Sequence, residues 1–107
     1  MESNDILKRL DQVLQARKAA SPAGSYVASL YDKGIEGIAD KILEEAQELT
    51  EAGIGEDDAH IIHEATDLWF HCLVLLAYKN IDSTAVLDEL VKRFGISGHQ
   101  EKRNRSK

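Results

Sequence analysis

The stretch "DDAHIIHEATDLWFHCLVLLAYKN", residues 57–80, decides how this chain must fold. It opens with two acids and closes on Lys79 and Asn80, the charge order that a helix dipole favours. Its second half is apolar on nearly every side. A helix of that kind needs partners all round, which in a short chain means the centre of a bundle or a dimer interface.

The segments around it supply those partners. Upstream, Ile35, Ile38, Ala39, Ile42, Leu43, Ala46 and Leu49 recur at three- and four-residue intervals, which predicts a helix over 35–52 ending at Gly53 and Gly55. The short connection "GIGEDD" favours antiparallel packing of these two helices. Before them, "YVASLYDKG" reads as a short helix anchored by Leu30 and Tyr31 and stopped by Gly34. "SPAGS" (21–25), which holds the only proline, reads as a loop. Ile6, Leu7, Leu10, Val13 and Leu14 predict a first helix within 4–20, capped by Ser3, Asn4 or Asp5. Val86, Leu87, Leu90, Val91 and Phe94 predict a last one over 83–94, capped by Asp82 or Ser83. No strand-like alternation of useful length occurs. The expected class is all-α, a bundle of about four to five helices, dimeric through the helix that is apolar all round.

With 107 residues and 43% hydrophobic content, the chain suits one domain, assigned to 1–98. The remainder, "HQEKRNRSK" (99–107), is polar and basic and is expected to be a flexible tail. Thirteen basic against nineteen acidic residues give a formal charge of −6, which argues against a nucleic-acid binder. The only cysteine, Cys72, lies in an apolar run and is expected to be a buried thiol, so no disulfide framework is available. The amino terminus, "MESNDILKRL", lacks the apolar stretch of a signal peptide, and the longest apolar run falls short of a membrane span. The expectation is a soluble, cytoplasmic protein.

The charges on the two long helices carry the functional signal. At ~100° per residue, Lys41, Glu44, Glu45 and Glu48 share one ~100° sector of their helix, and His60, Glu64, Asp67 and His71 share a ~60° sector of the next. Glu64 borders Leu68 and Leu75, which puts it at the edge of the core. Carboxylates gathered in a partly buried seam are strongly unfavourable unless a cation compensates them. A set of Glu and Asp without Cys suits Mg²⁺, which accepts oxygen ligands and bridges carboxylates to phosphates. The plainer alternative is two solvated acidic faces, with Lys41 an intrahelical partner of Glu44 or Glu45. His60 and His63 fall in the exposed first turns of their helix, and His71 reads as a satisfied core residue. Tyr26, Tyr31 and Trp69 read as packing residues. There is no Glu-x-x-His pair of the di-iron kind, no glycine-rich phosphate loop, no Ser-His-Asp set and no zinc motif.

"EEAQE" (Glu44 to Glu48) followed by "EATD" (Glu64 to Asp67) resembles the Glu-Glu-x-x-Glu … Glu-x-x-Asp signature of the all-α, MazG-type nucleoside triphosphate pyrophosphatases. "PAGSYVASLYDKG", "IADKILEEAQE", "EATDLWFHCLVLLA" and the ending "GISGHQEKRNRSK" are similar to segments of the phosphoribosyl-ATP pyrophosphatase family within it. Val27, Ser29 and Leu43 depart from that family's usual Thr, Lys and Gly. The resemblance implies Mg²⁺-dependent hydrolysis of phosphoribosyl-ATP to phosphoribosyl-AMP and pyrophosphate, the second step of histidine biosynthesis, by a homodimer. It implies Glu45, Glu48, Glu64 and Asp67 as metal-binding acids, and Glu44 and Glu45 as the catalytic pair, Glu44 being a further ligand or the group that orients water. The polyanionic substrate then needs cations and donors, for which Lys41, Lys33, Arg17, Ser25 and Tyr26 are the candidates. Two other readings share these features: a house-cleaning pyrophosphatase of the MazG type acting on other nucleotides, and a helical interaction module without activity.

Overall fold

The computed structural model describes residues 5–95, and every regular element in that span is helical. Helix α1 runs Ile6–Ala16 and continues into a short 3₁₀ turn, Arg17–Ala19. Helix α2 spans Tyr26–Ile54, α3 spans Asp58–Tyr78 and α4 spans Ser83–Phe94. The basic tail expected over 99–107 lies outside the described residues. No helix among the described residues is long and apolar enough to cross a membrane.

Side-chain caps set three of the four starts. Ser25 Oγ accepts from the Ala28 amide at 3.1 Å, Asp57 Oδ1 from Ala59 at 3.1 Å, and Asp82 Oδ1 from Thr84 at 2.9 Å. Each satisfies an amide that the first turn leaves without an intrahelical acceptor. Asp5 stands at the start of α1 but makes no such bond.

Within α2 the two helices expected over 26–34 and 35–52 do part at Gly34, across a single non-helical residue. Gly34 takes φ 79° and ψ −171°, a backbone region that only glycine occupies readily, so the chain breaks direction and resumes as helix at once. The break has a purpose in the packing. Below it, α2 lies antiparallel to α3. Above it, the first turns fold back so that Tyr26 meets His71, where a straight helix would carry Tyr26 away from α3.

Leu14, Val27, Leu30, Ile38, Val74 and Ala77 are buried together, with Leu10, Tyr31, Ile42, Phe70, Leu73, Leu75 and Tyr78 packed around them. Polar bonds fix the registers between helices. Tyr31 Oη donates to the Leu14 carbonyl at 2.8 Å, and Gln15 Nε2 donates to the Ala77 carbonyl at 3.2 Å. Asp11 accepts from the Ser83 hydroxyl at 2.6 Å and from its amide, so a carboxylate on α1 holds the first turn of α4. Burial is the main cause that raises the Asp11 pKa, and the Ser83 bonds oppose it.

Cys72, expected to be buried, is exposed, and of the residues expected to pack Trp69 is 67% and Tyr26 52% exposed. For the two on α3 the reason is geometric: α1 and α2 cover two of its sides, and no other described element packs extensively on the third. Val86, Leu87, Leu90, Val91 and Phe94 of α4 are likewise exposed. Between α1 and α3 an apolar trough of about 560 Å³ is lined by Leu7, Leu10, Ile62, Trp69, Phe70 and Leu73, among others.

A Cβ at Gly34 would meet only the Tyr78 hydroxyl, at an ordinary 3.6 Å, so the obstacle to a side chain there is backbone conformation and not space. Gly34→Ala is expected to cost roughly 1–3 kcal/mol of stability, the usual range for a strained backbone position. Urea unfolding followed by circular dichroism measures it.

Candidate active site

The antiparallel pairing of α2 and α3 brings their charged faces together. Glu45 and Glu64 are both buried, one on each helix, and Glu48 lies beside them. Carboxylate oxygens of Glu45, Glu48 and Glu64 lie within 4.8 Å of one another, and those of Glu64 and Asp67 lie equally close to a ring nitrogen of His63. Glu64 belongs to both groups, so they form one continuous acidic seam.

The pairing of individual oxygens is incomplete. Lys41 Nζ stands 3.3 Å from Glu45 Oε1, and His60 Nε2 stands 3.5 Å from Glu64 Oε1. The second oxygen of each buried carboxylate, Oε2, is out of solvent and has no hydrogen-bond partner. A buried carboxylate oxygen left unpaired costs free energy of the order of a lost charged hydrogen bond, ~1–3 kcal/mol or more. Two such atoms beside a third carboxylate are the arrangement that a hard divalent cation relieves, and an all-oxygen donor set with one imidazole at its rim fits such a cation. Glu48 records the crowding: the close Glu64 carboxylate raises its carboxyl pKa first, then burial and the nearby Glu45 and Glu64 charges.

The remaining residues singled out from the sequence divide into two sets. Glu44 is exposed on the rim, 3.5 Å from Lys41 Nζ, so Lys41 bridges Glu44 and Glu45, and this contact also raises its pKa, the Glu45 bond being the main cause. Asp67 lies at the edge, 3.4 Å from His63 Nε2. Tyr26 reaches the edge of the seam through the fold-back at Gly34, its Oη 2.7 Å from His71 Nε2, while the Ser25 hydroxyl caps the helix on the Ala28 amide. Arg17 lines a separate cleft with Lys18, Tyr31 and Asp32, and Lys33 is exposed just before the break. Among the described residues no hydrogen bond or ion pair joins either to the carboxylates.

A sequence model described as phosphoribosyl-ATP pyrophosphohydrolase matches residues 7–94, which include every residue of the seam. The chain belongs to that family. A phosphoribosyl-ATP pyrophosphatase of Hydrogenovibrio crunogenus (strain DSM 25203 / XCL-2) is 50% identical over 98% of this chain and 96% of its own length. Another, of Ruthia magnifica subsp. Calyptogena magnifica, is 48% identical over 96% of this chain and 98% of its own. The likeness is thus end to end.

Within this family member, two histidines do more than their exposed positions promised. His60 with Glu64 and His63 with Asp67 are i,i+4 pairs, so each seam acid on α3 has an imidazole one turn before it. That spacing was legible in "HIIHEATD". His71 is buried with both ring nitrogens hydrogen-bonded, as a satisfied core histidine should be, but its partner Tyr26 comes from a different helix and only the tertiary structure supplies it.

The sign of the pH effect at Glu48 follows from its raised pKa. The fold favours the protonated form, so this contribution to stability is present at low pH and is lost as pH rises from the ordinary glutamate range through the raised value. Glu48→Gln should therefore raise the thermal midpoint at neutral pH and flatten its dependence on pH, which thermal melts at several pH values read.

Proposed function

We infer that this chain hydrolyses phosphoribosyl-ATP at its α–β phosphoanhydride, yielding phosphoribosyl-AMP and pyrophosphate, the second step of histidine biosynthesis. The observation that carries the reading is the pair of buried, unpartnered oxygens on Glu45 and Glu64, in a chain of this family. We assign Glu45, Glu48, Glu64 and Asp67 as the residues that would hold Mg²⁺. When bound, the metal supplies positive charge that offsets the charge developing on the leaving pyrophosphate.

The chain's own groups do the rest. Glu44, on the rim, orients the attacking water, and Glu45 beside it takes one proton as the water oxygen bonds to the α phosphorus and the bond to the bridging oxygen breaks. Lys41, already between these two carboxylates, presents an ammonium to the phosphate chain. Ser25 and Tyr26 border the same space. Arg17 and Lys33 would meet outlying parts of the polyanion, Arg17 from its separate cleft.

We also propose that the working unit is a homodimer located in the cytoplasm. Trp69, the trough between α1 and α3, and the apolar face of α4 together leave more apolar surface uncovered than a monomer of this size normally shows. A second copy covers them symmetrically.

Pyrophosphate release from phosphoribosyl-ATP tests the activity. It is expected to require Mg²⁺ and to fall on the order of a hundredfold or more in Glu64→Gln, since even the outer partners of a metal ligand cost up to about that much. Release from other nucleoside triphosphates in preference would move the chain to the house-cleaning branch. Sedimentation equilibrium tests the assembly: wild type at twice the chain mass, and Trp69→Glu shifted towards the monomer with its helix content retained.

A further inference from the structure

Tyr26 is joined to the backbone of the α3 turn that carries Asp67 through a short chain of hydrogen bonds whose direction can be read. His71 Nδ1 lies 2.7 Å from the backbone carbonyl of Asp67, and a carbonyl oxygen only accepts, so Nδ1 carries the proton. In the neutral ring Nε2 is then a bare acceptor, and the Tyr26 hydroxyl 2.7 Å away donates to it. Phe70 packs edge-on against the imidazole at 5.3 Å and Tyr26 does so at 5.8 Å, which holds the ring plane. His71 is 5% exposed, so water does not compete for either nitrogen. Burial pushes the Tyr26 pKa up, with Lys41 opposing, and the hydroxyl keeps its proton.

From this geometry we propose that His71 is a positioning residue which turns Tyr26 into a hydrogen-bond acceptor at the edge of the seam. Its oxygen, with the proton committed to His71, has lone pairs to offer and nothing to give. It therefore refuses phosphate oxygens, which only accept, and takes a donor on the nucleotide or sugar portion of the ligand, a hydroxyl or an amine. Tyr26 on that account selects the part of the substrate that departs with the monophosphate product, and the pyrophosphate portion is left to the seam and Lys41. The inference rests on the hydrolytic reading above.

The residues can be separated by isosteres. Asn at position 71 reproduces Nδ1 and keeps a partner for the Asp67 carbonyl, whereas Gln reaches the place of Nε2 and can accept from Tyr26. His71→Asn and Tyr26→Phe are each expected to lower kcat/KM about tenfold, mainly through KM, the size of one lost hydrogen bond. The double variant should lose no more than either single one, and His71→Gln should recover most of the loss. In product inhibition, Tyr26→Phe should weaken phosphoribosyl-AMP about tenfold and leave inorganic pyrophosphate unchanged. Long-range proton–nitrogen NMR on histidine-labelled protein, with His71 identified by its absence from His71→Asn, should find the proton on Nδ1.

Additive losses, a His71→Asn enzyme with wild-type kcat/KM, weakened pyrophosphate inhibition, or a proton on Nε2 alone would each overturn the proposal in an enzyme that remains active. A wild-type chain that releases no pyrophosphate from phosphoribosyl-ATP overturns the functional reading itself, and the two failures are thereby distinct.

Discussion

Electrostatic repulsion inside the α2–α3 seam is the constraint on which the rest of the structure depends. Glu45 and Glu64 are buried, each with one oxygen unpaired, and Glu48 stands close enough for its pKa to rise. A fold optimised only for stability would not place them so, since apolar residues of similar size would pack there without the desolvation cost. The surrounding structure over-determines the seam instead: Asp57 and Ser25 cap its helices, and the Ile38 and Val74 core packs beneath it. Burial energy from that core holds the acids in place against their mutual repulsion.

Gly34 links this seam to the second half of the site. A single residue at positive φ lets α2 contribute twice to the same place, once through Glu45 and Glu48 below the break and once through Tyr26 above it. His71 joins the two from the opposite side, since it lies on α3 four residues beyond Asp67 and bonds that residue's carbonyl. Tyr26 is thereby tied to the α3 turn that carries Asp67. Moving it away from that turn requires breaking a bond to a buried imidazole.

The apolar surfaces answer to the same short chain length. Three helices around one core leave α3 open on its third side and α4 attached through the Asp11–Ser83 contact and little else. Trp69 and the apolar face of α4 are thus uncovered among the described residues.

Much of this was legible in the sequence because it is periodic. Helical spacing and capping residues determined α1, α3 and α4 to within a few residues, and the all-α class with them. Spacing also put Glu44, Glu45 and Glu48 on one helix face and Glu64 and Asp67 on the next, since residues three or four apart must share a face whatever the helix packs against. Periodicity is a local property, and it is silent on pairs that meet from different elements. That the chain would turn back at Gly34 so that Tyr26 meets His71, that Asp11 would hold Ser83, and that Cys72 and Trp69 would be exposed were decided by tertiary structure alone. Each of these depends on where a distant segment lies, and distance along the chain carries no information about that until the core has formed.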